Sequence, residues 1–184
     1  MFKYFGVFLL LACSTFGMNA LAGTSIGLNG TWMLDPKATE TYIVELPHID
    51  NPDRVAEGIG LESAFLVLLV YEFRGDIATL SMYNATNKKL EYKCLPAQDA
   101  KIICTSINVQ GSAPDNFTVS VLNAQAITII HPHASEMGYV VWKRVNIDPK
   151  QSAPDFAQAH LKAWKAPFEH IMKALHAQAN ATEH

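Results

Sequence analysis

The chain predicts a mainly β (α+β) fold: an eight-stranded antiparallel up-and-down barrel, with short N-terminal helices and a C-terminal helix packed outside. Three observations carry this. From residue 64 onward, short apolar runs alternate with turn-forming clusters at regular spacing. Period-2 alternation is clear in Ala78/Leu80/Met82, Leu90/Tyr92/Cys94 and Phe117/Val119/Val121. The tail then switches to a helical period, with Ala157, Leu161, Trp164, Phe168, Ile171 and Leu175 forming one apolar stripe.

Composition sets the bounds. A length of 184 residues suits one domain. With 49% apolar and 17% charged residues, there is enough apolar surface to offset the ordering entropy. The formal charge of −3 leaves no basic footprint for nucleic acid.

Residues 1–22 read as a secretory signal peptide. Lys3 is the only charge before Asp35, an apolar run over 4–12 follows, and Ala20-Leu21-Ala22 fits a small-residue cleavage rule. That run is about half the ~20 residues needed to span a bilayer, so no transmembrane anchor is expected after cleavage. Leu10-Leu11-Ala12-Cys13 has a second reading as a lipobox, with Cys13 lipidated. Both readings export the protein, to the periplasm or the medium. Residues 23–147 would form the barrel domain and 148–184 the helix and tail.

The remaining cysteines, Cys94 and Cys104, are an even pair in an oxidising compartment and read as a disulfide. They would face each other across a hairpin turning near Asp99, where cross-strand Cβ atoms approach closely enough for the nearest pairs to bridge. Two free buried thiols are the alternative.

The elements follow in order. A first strand lies within 26–34. Asp35-Pro36 is a helix start, Asp as N-cap and Pro at the first position, for a helix over 36–44 that Pro47 ends. Asn51-Pro52 repeats the signal for a helix over 52–63, weakened by Gly58 and Gly60. Strands are expected over 65–73, 77–83, 89–94, 101–109, 117–122, 126–131 and 139–145. Closing eight strands removes exposed edges, although a two-edged sandwich also fits the count. The C-terminal helix starts at Pro154-Asp155, and Pro167 should kink it. Its stripe is expected to dock on the outer faces of strands 65–70 and 139–142, which are apolar on both sides; a partner groove or a membrane surface would also accept it.

Gly30-Thr31-Trp32 on the first strand and Arg144 at the end of the last resemble the signature of the lipocalin-like (calycin) proteins, most closely their small exported bacterial type. The resemblance spans residues 27–175 and implies that Arg144 stacks on Trp32 and closes the barrel. It further implies an interior that holds a small apolar ligand. Here Asp35-Pro36 breaks the first strand, and about 30 residues precede the meander.

Inward positions expected to line such a barrel are Tyr71, Phe73, Leu80, Met82, Tyr92, Phe117, Val119 and Ile127. An eight-stranded barrel either holds one small ligand or is filled by its own side chains, and aromatics of this size are able to fill it. No catalytic fingerprint is present: Gly-x-Ser-x-Gly, a phosphate loop, a dinucleotide motif and His-Glu-x-x-His are all missing. His131-Pro132-His133, with Glu136 nearby, is a weak metal candidate against the plainer reading of a polar turn. His160, His170 and His176 read as a solvated helix face. Arg74-Gly75-Asp76 reads as a hairpin turn. Four Asn-x-Thr sequons, at Asn29, Asn84, Asn116 and Asn180, matter only in a glycosylating host.

Three functions are therefore weighed. The first is an exported, non-enzymatic barrel binding a small apolar molecule, with no cofactor. The second is an envelope protein that binds a protein partner, such as a hydrolase inhibitor. The third is a metal or enzymatic protein using His131 and His133.

Overall fold

A computed structural model describes residues 27–83, 89–107, 115–132, 138–146 and 153–182. The signal segment, Cys13, Asn84, His133 and Glu136 lie outside the described residues. Within them the chain runs β1 (Gly30–Leu34), α1 (Pro36–Glu45), α2 (Pro52–Leu66), β2 (Leu69–Arg74), β3 (Ile77–Met82) and β4 (Leu90–Pro96). It continues as β5 (Lys101–Ser106), β6 (Asn116–Asn123), β7 (Ala126–Ile130), β8 (Val141–Val145) and α3 (Ala153–Thr182). The strands close in sequence order into an antiparallel barrel, with β8 returning to β1. Trp32 is the shared register point, opposite Tyr71 on one side and Arg144 on the other. An open sandwich is thereby excluded.

Antiparallel order sorts the connections. The β2–β3, β4–β5 and β6–β7 hairpins fall at one end, called the lower end here, where the chain enters at Gly27. The helical β1–β2 connection and the β3–β4, β5–β6 and β7–β8 connections fall at the upper end. Turn chemistry follows from local sequence. Gly75 takes φ 62° between β2 and β3, and Asp99 and Ala100 take φ 57° and 56° between β4 and β5. That second turn sets Cys94 opposite Cys104, and the two form a disulfide buried on the inner wall.

The alternation seen in the sequence becomes inside and outside. Along β4, Tyr92 and Cys94 are buried while Glu91 and Lys93 are exposed. Tyr71, Phe73, Phe117, Val119 and Ile127 share this inner face through the strand register and are at most 1% exposed. Their rings fill the tube. Tyr71 meets Trp142 edge-on at 4.8 Å between centroids and Phe117 at 5.5 Å, and Tyr92 meets Phe117 at 4.7 Å.

Beside this packing Arg144 lies over the Trp32 indole, its guanidinium carbon 5.0 Å from the ring centre. Arg144 also donates to Gly27 O at 3.0 Å, and Trp32 Nε1 donates to Leu28 O at 2.7 Å. Gly30 beneath the Arg144 side chain takes φ 132°, a conformation that side chains rarely adopt, so the backbone here calls for glycine.

The helices cover one side of the barrel. Met33, Val70 and Val141 face away from the interior yet are at most 8% exposed. Asp35 caps α1 by accepting from Ala38 N, and Thr39 Oγ1 accepts from Val141 N, which fixes α1 against β8. Asn51 caps α2 through Arg54 N.

Two expectations are corrected. Residues 65–66, predicted to open a strand, end α2 instead. The apolar run 64–70 carries no period that separates a buried helix turn from a buried strand. The stripe of α3 docks on α1 and α2 more than on the strands. Those two helices already occupy the barrel wall, and Trp164, Ile171 and Leu175 complete their core. Direct contact with the barrel comes through Phe156 on Tyr83, at 4.1 Å between rings, and His160 Nε2 at 2.8 Å from Leu34 O. His170 reaches Glu40 at 2.7 Å. His160 and His170 are thus helix-docking contacts, not a purely solvated face. α3 continues through Pro167.

Arg144→Ala removes both the ring contact and the bond to Gly27 O. It is expected to lower unfolding stability by about 1–3 kcal/mol, read as a lower urea midpoint at unchanged slope. Replacing both bridged cysteines by Ala should cost about 2–3 kcal/mol from the short closed loop.

Candidate functional site

The inner wall is not uniformly packed. The rings, the disulfide, Ile102 and Val119 are packed to 5% exposure or less. The upper inward residues of β3 and β4 are not sealed. Leu80 is opposite Tyr71 and Leu90, and Met82 is opposite Leu69. Leu80 and Met82 are half-buried, and Leu90 is 49% exposed. Leu68 and Tyr139 are further partly buried apolar neighbours. The eight residues expected to line the barrel all sit on its inner wall. Six are filled core, and Leu80 and Met82 stand at the mouth.

A polar cluster lies at the upper ends of β6 and β7 and reaches Tyr71 and Tyr92. Tyr71 Oη is 2.9 Å from His131 Nε2, and Tyr92 Oη donates to Asp115 Oδ2 at 3.1 Å. Phe117 sits among them, with its ring 5.3 Å from that of His131. Asp115 is fixed by two bonds to Ser106: its N–H donates to Ser106 Oγ at 2.9 Å, and its carbonyl accepts from Ser106 N at 2.8 Å. The chain is thus locked where β5 and β6 begin to pair.

Burial governs the protonation of this cluster. It pushes the Tyr71 hydroxyl far above the usual phenol range, with Tyr92 and Asp115 adding to the effect. Tyr92 is pushed up to about 12, first by burial and then by the Asp115 carboxylate. Burial lowers His131 below the ordinary imidazole value, against a smaller opposing pull from Asp115. At neutral pH the two phenols and the imidazole of the cluster are therefore neutral.

Bond direction follows. The Tyr71 O–H is buried and needs an acceptor, so it donates to His131 Nε2. The His131 proton is then on Nδ1. His131 Nε2 is engaged by Tyr71, and no group of three metal-ligating side chains forms among the described residues, which do not include His133 and Glu136. The Trp142 indole N–H, on the same inner wall, is buried with no partner among the described residues.

An open groove of about 550 Å3 also runs outside the barrel between α1 and β6–β8, bordered by Lys37, Tyr42, Leu122 and Lys143. Lys143 there lies 3.5 Å from Asp35. Arg74-Gly75-Asp76 forms the β2–β3 turn: Arg74 pairs with Glu72, Asp76 with Lys93, and Gly75 N donates to Asn29 Oδ1. No helix among the described residues is long and apolar enough to cross a membrane.

The sequence reading missed Asp115 and the inward role of Trp142. Asp115 sits in a turn-rich stretch where an acidic residue is ordinary, and only the closed register brings it to Tyr92. Compared with known proteins, the chain matches no family model, no curated protein and no solved structure.

The depressed His131 sets the sign of a pH effect. The unfolded chain binds this proton more readily than the barrel does. The resulting stability is fully present above the ordinary imidazole value of about 6.5 and is lost as pH falls below it. Urea titrations from pH 7.5 to 5 should show a steeper loss for wild type than for His131→Gln. Tyr71→Phe should destabilise by about 1–3 kcal/mol, because it strips His131 Nε2 of its donor.

Proposed function

We propose that this is an exported, non-catalytic protein of lipocalin-like type, which binds a small, mostly apolar molecule at the upper mouth of its barrel. One observation carries the reading: Leu80, Met82 and Leu90 face inward, yet their own barrel leaves them partly uncovered. Inward apolar surface that the protein does not bury is surface for a ligand. Most of the interior is filled by its own rings, so the ligand would occupy a shallow cup at Leu80, Met82 and Leu90 and not the whole tube. The clasp of Trp32 by Arg144 supports the lipocalin-like kinship, and the buried disulfide suits an oxidising compartment.

The test is binding of the uncharged fluorophore N-phenyl-1-naphthylamine to the purified protein. Saturable enhancement is expected, weakened about tenfold or more by Leu80→Lys, since burying an unpaired charge opposes an apolar ligand. No saturable binding, or binding unaffected by Leu80→Lys, would remove the reading.

A second reading has its own observation. On the outer face, Leu95 and Ile103 are cross-strand partners exposed by 58% and 46%. They would suit a protein partner in the envelope. Leu95→Lys/Ile103→Lys would then abolish recovery of a specific partner from the native compartment while leaving fluorophore binding intact.

A further inference from the structure

The groove outside the barrel has an electrical direction, and the sequence of α1 sets it. Lys37, Thr41 and Glu45 all line the groove, on one helix face at intervals of four residues. At a rise of about 1.5 Å per residue, Glu45 stands about 12 Å along the helix axis from Lys37. Lys143, from β8, belongs to the Lys37 end. Its ammonium lies 3.5 Å from the carboxylate of Asp35, the residue that caps the start of α1. The groove is therefore cationic where α1 begins and anionic where α1 ends. Tyr42, Leu122, Ala126 and Val141 form the apolar part of its lining.

The two α1 charges stand where the helix itself disfavours them. A helix is partially positive at its N-terminus and partially negative at its C-terminus, so acids suit its first turn and bases its last. The first turn of α1 holds no acid but carries Lys37, and its last turn holds no base but carries Glu45. Asp35 answers the positive end in part, through its bond from Ala38 N. Each misplaced charge reinforces the helix pole beside it, and both poles open on one groove. A local rule broken twice on the same surface marks a place where a ligand gains what the helix loses.

The matching ligand carries an anion at one end, a cation about 12 Å away and apolar surface between them. An extended peptide spans up to about 3.3–3.6 Å per residue, so about four residues cover that distance. We infer that the groove binds a short, unblocked peptide with apolar side chains. Its terminal carboxylate would meet Lys37 and Lys143, and its terminal ammonium would meet Glu45. Capture of free chain ends by fixed charge and backbone dipoles is a recognised mode of peptide binding. A volume of about 550 Å3 suits a ligand of this size. A fatty carboxylate would satisfy only the cationic end. This site is separate from the barrel mouth and does not depend on it.

The experiment is an amide NMR titration of the purified, disulfide-bonded protein at pH 7.0 and low salt. The ligands are the tetrapeptide Ala-Val-Val-Ala, its N-acetylated form, its C-amidated form, the dipeptide Val-Val, and dodecanoate below its aggregation limit. The unblocked tetrapeptide should give saturable shifts at Thr41, Tyr42, Leu122 and Ala126. Acetylation and amidation should each weaken binding by about threefold or more, since each removes one exposed ion pair. The dipeptide, too short to reach both ends, should bind more weakly than the tetrapeptide by a similar factor. Lys37→Gln should shrink the penalty of amidation and leave that of acetylation, and Glu45→Gln should do the reverse. Both variants should keep or raise the thermal midpoint, because each relieves a charge opposed to the helix dipole.

Four outcomes overturn the inference. They are no saturable shift with the tetrapeptide in folded wild-type protein, shifts confined to residues outside the groove, blocked peptides that bind as tightly as the free one, and dodecanoate that binds more tightly than the tetrapeptide.

Discussion

Trp32 has two neighbours to satisfy at once. As the central residue of the shortest kind of strand, it pairs with Tyr71 on β2 and with Arg144 on β8. Every other strand is joined to its neighbour by the chain, but the β1–β8 seam closes between segments far apart in sequence. Such a seam carries the largest loop-closure entropy of any pairing in the sheet. A fully buried indole, a guanidinium over its face and a bond back to Gly27 hold it where no hairpin helps. The rest of the architecture follows. With the seam closed, no edge is exposed and the aromatic inner residues have a common centre.

Packing inside the closed barrel is uneven. Large rings and a buried disulfide consume most of the interior, so the tube is not a vessel along its whole length. The upper ends of β3 and β4 are left with partly uncovered apolar side chains facing inward, near the polar groups of Tyr71, Tyr92, Asp115 and His131. Burial keeps the two phenols and the imidazole neutral, while Ser106 fixes the Asp115 backbone and the Asp115 side chain accepts from Tyr92. A filled interior with partly uncovered side chains at Leu80, Met82 and Leu90 leaves a shallow cup there.

Much of this was legible in residue order, for physical reasons. Period-2 alternation reports which side of a strand is buried, so the inner-wall residues and the Cys94–Cys104 pairing were accessible from spacing. Asp35-Pro36 and Asn51-Pro52 announce helix starts because capping is local. What stayed hidden depends on contacts between distant segments. The run at 64–70 has no period, so Phe65 and Leu66 read as strand when they finish a helix. The stripe of α3 states that it needs an apolar partner but not which one, and α1 and α2 took the place expected of the strands. Asp115 and Tyr92 are 23 residues apart and meet only through the register of three strands. The lipocalin-like pair Gly30-x-Trp32 and Arg144 pointed to the seam, while nothing in the sequence said that most of the interior would be filled and Leu80, Met82 and Leu90 left partly uncovered.

The most direct test of this account is a methyl NMR titration of the isotope-labelled protein with N-phenyl-1-naphthylamine. The account predicts shifts at the Leu80, Met82 and Leu90 methyls while Ile102, Val119 and Ile129, packed in the interior, stay unchanged. Shifts at those interior methyls, or at Ala38 and Leu122 in the outer groove with the mouth silent, would contradict it.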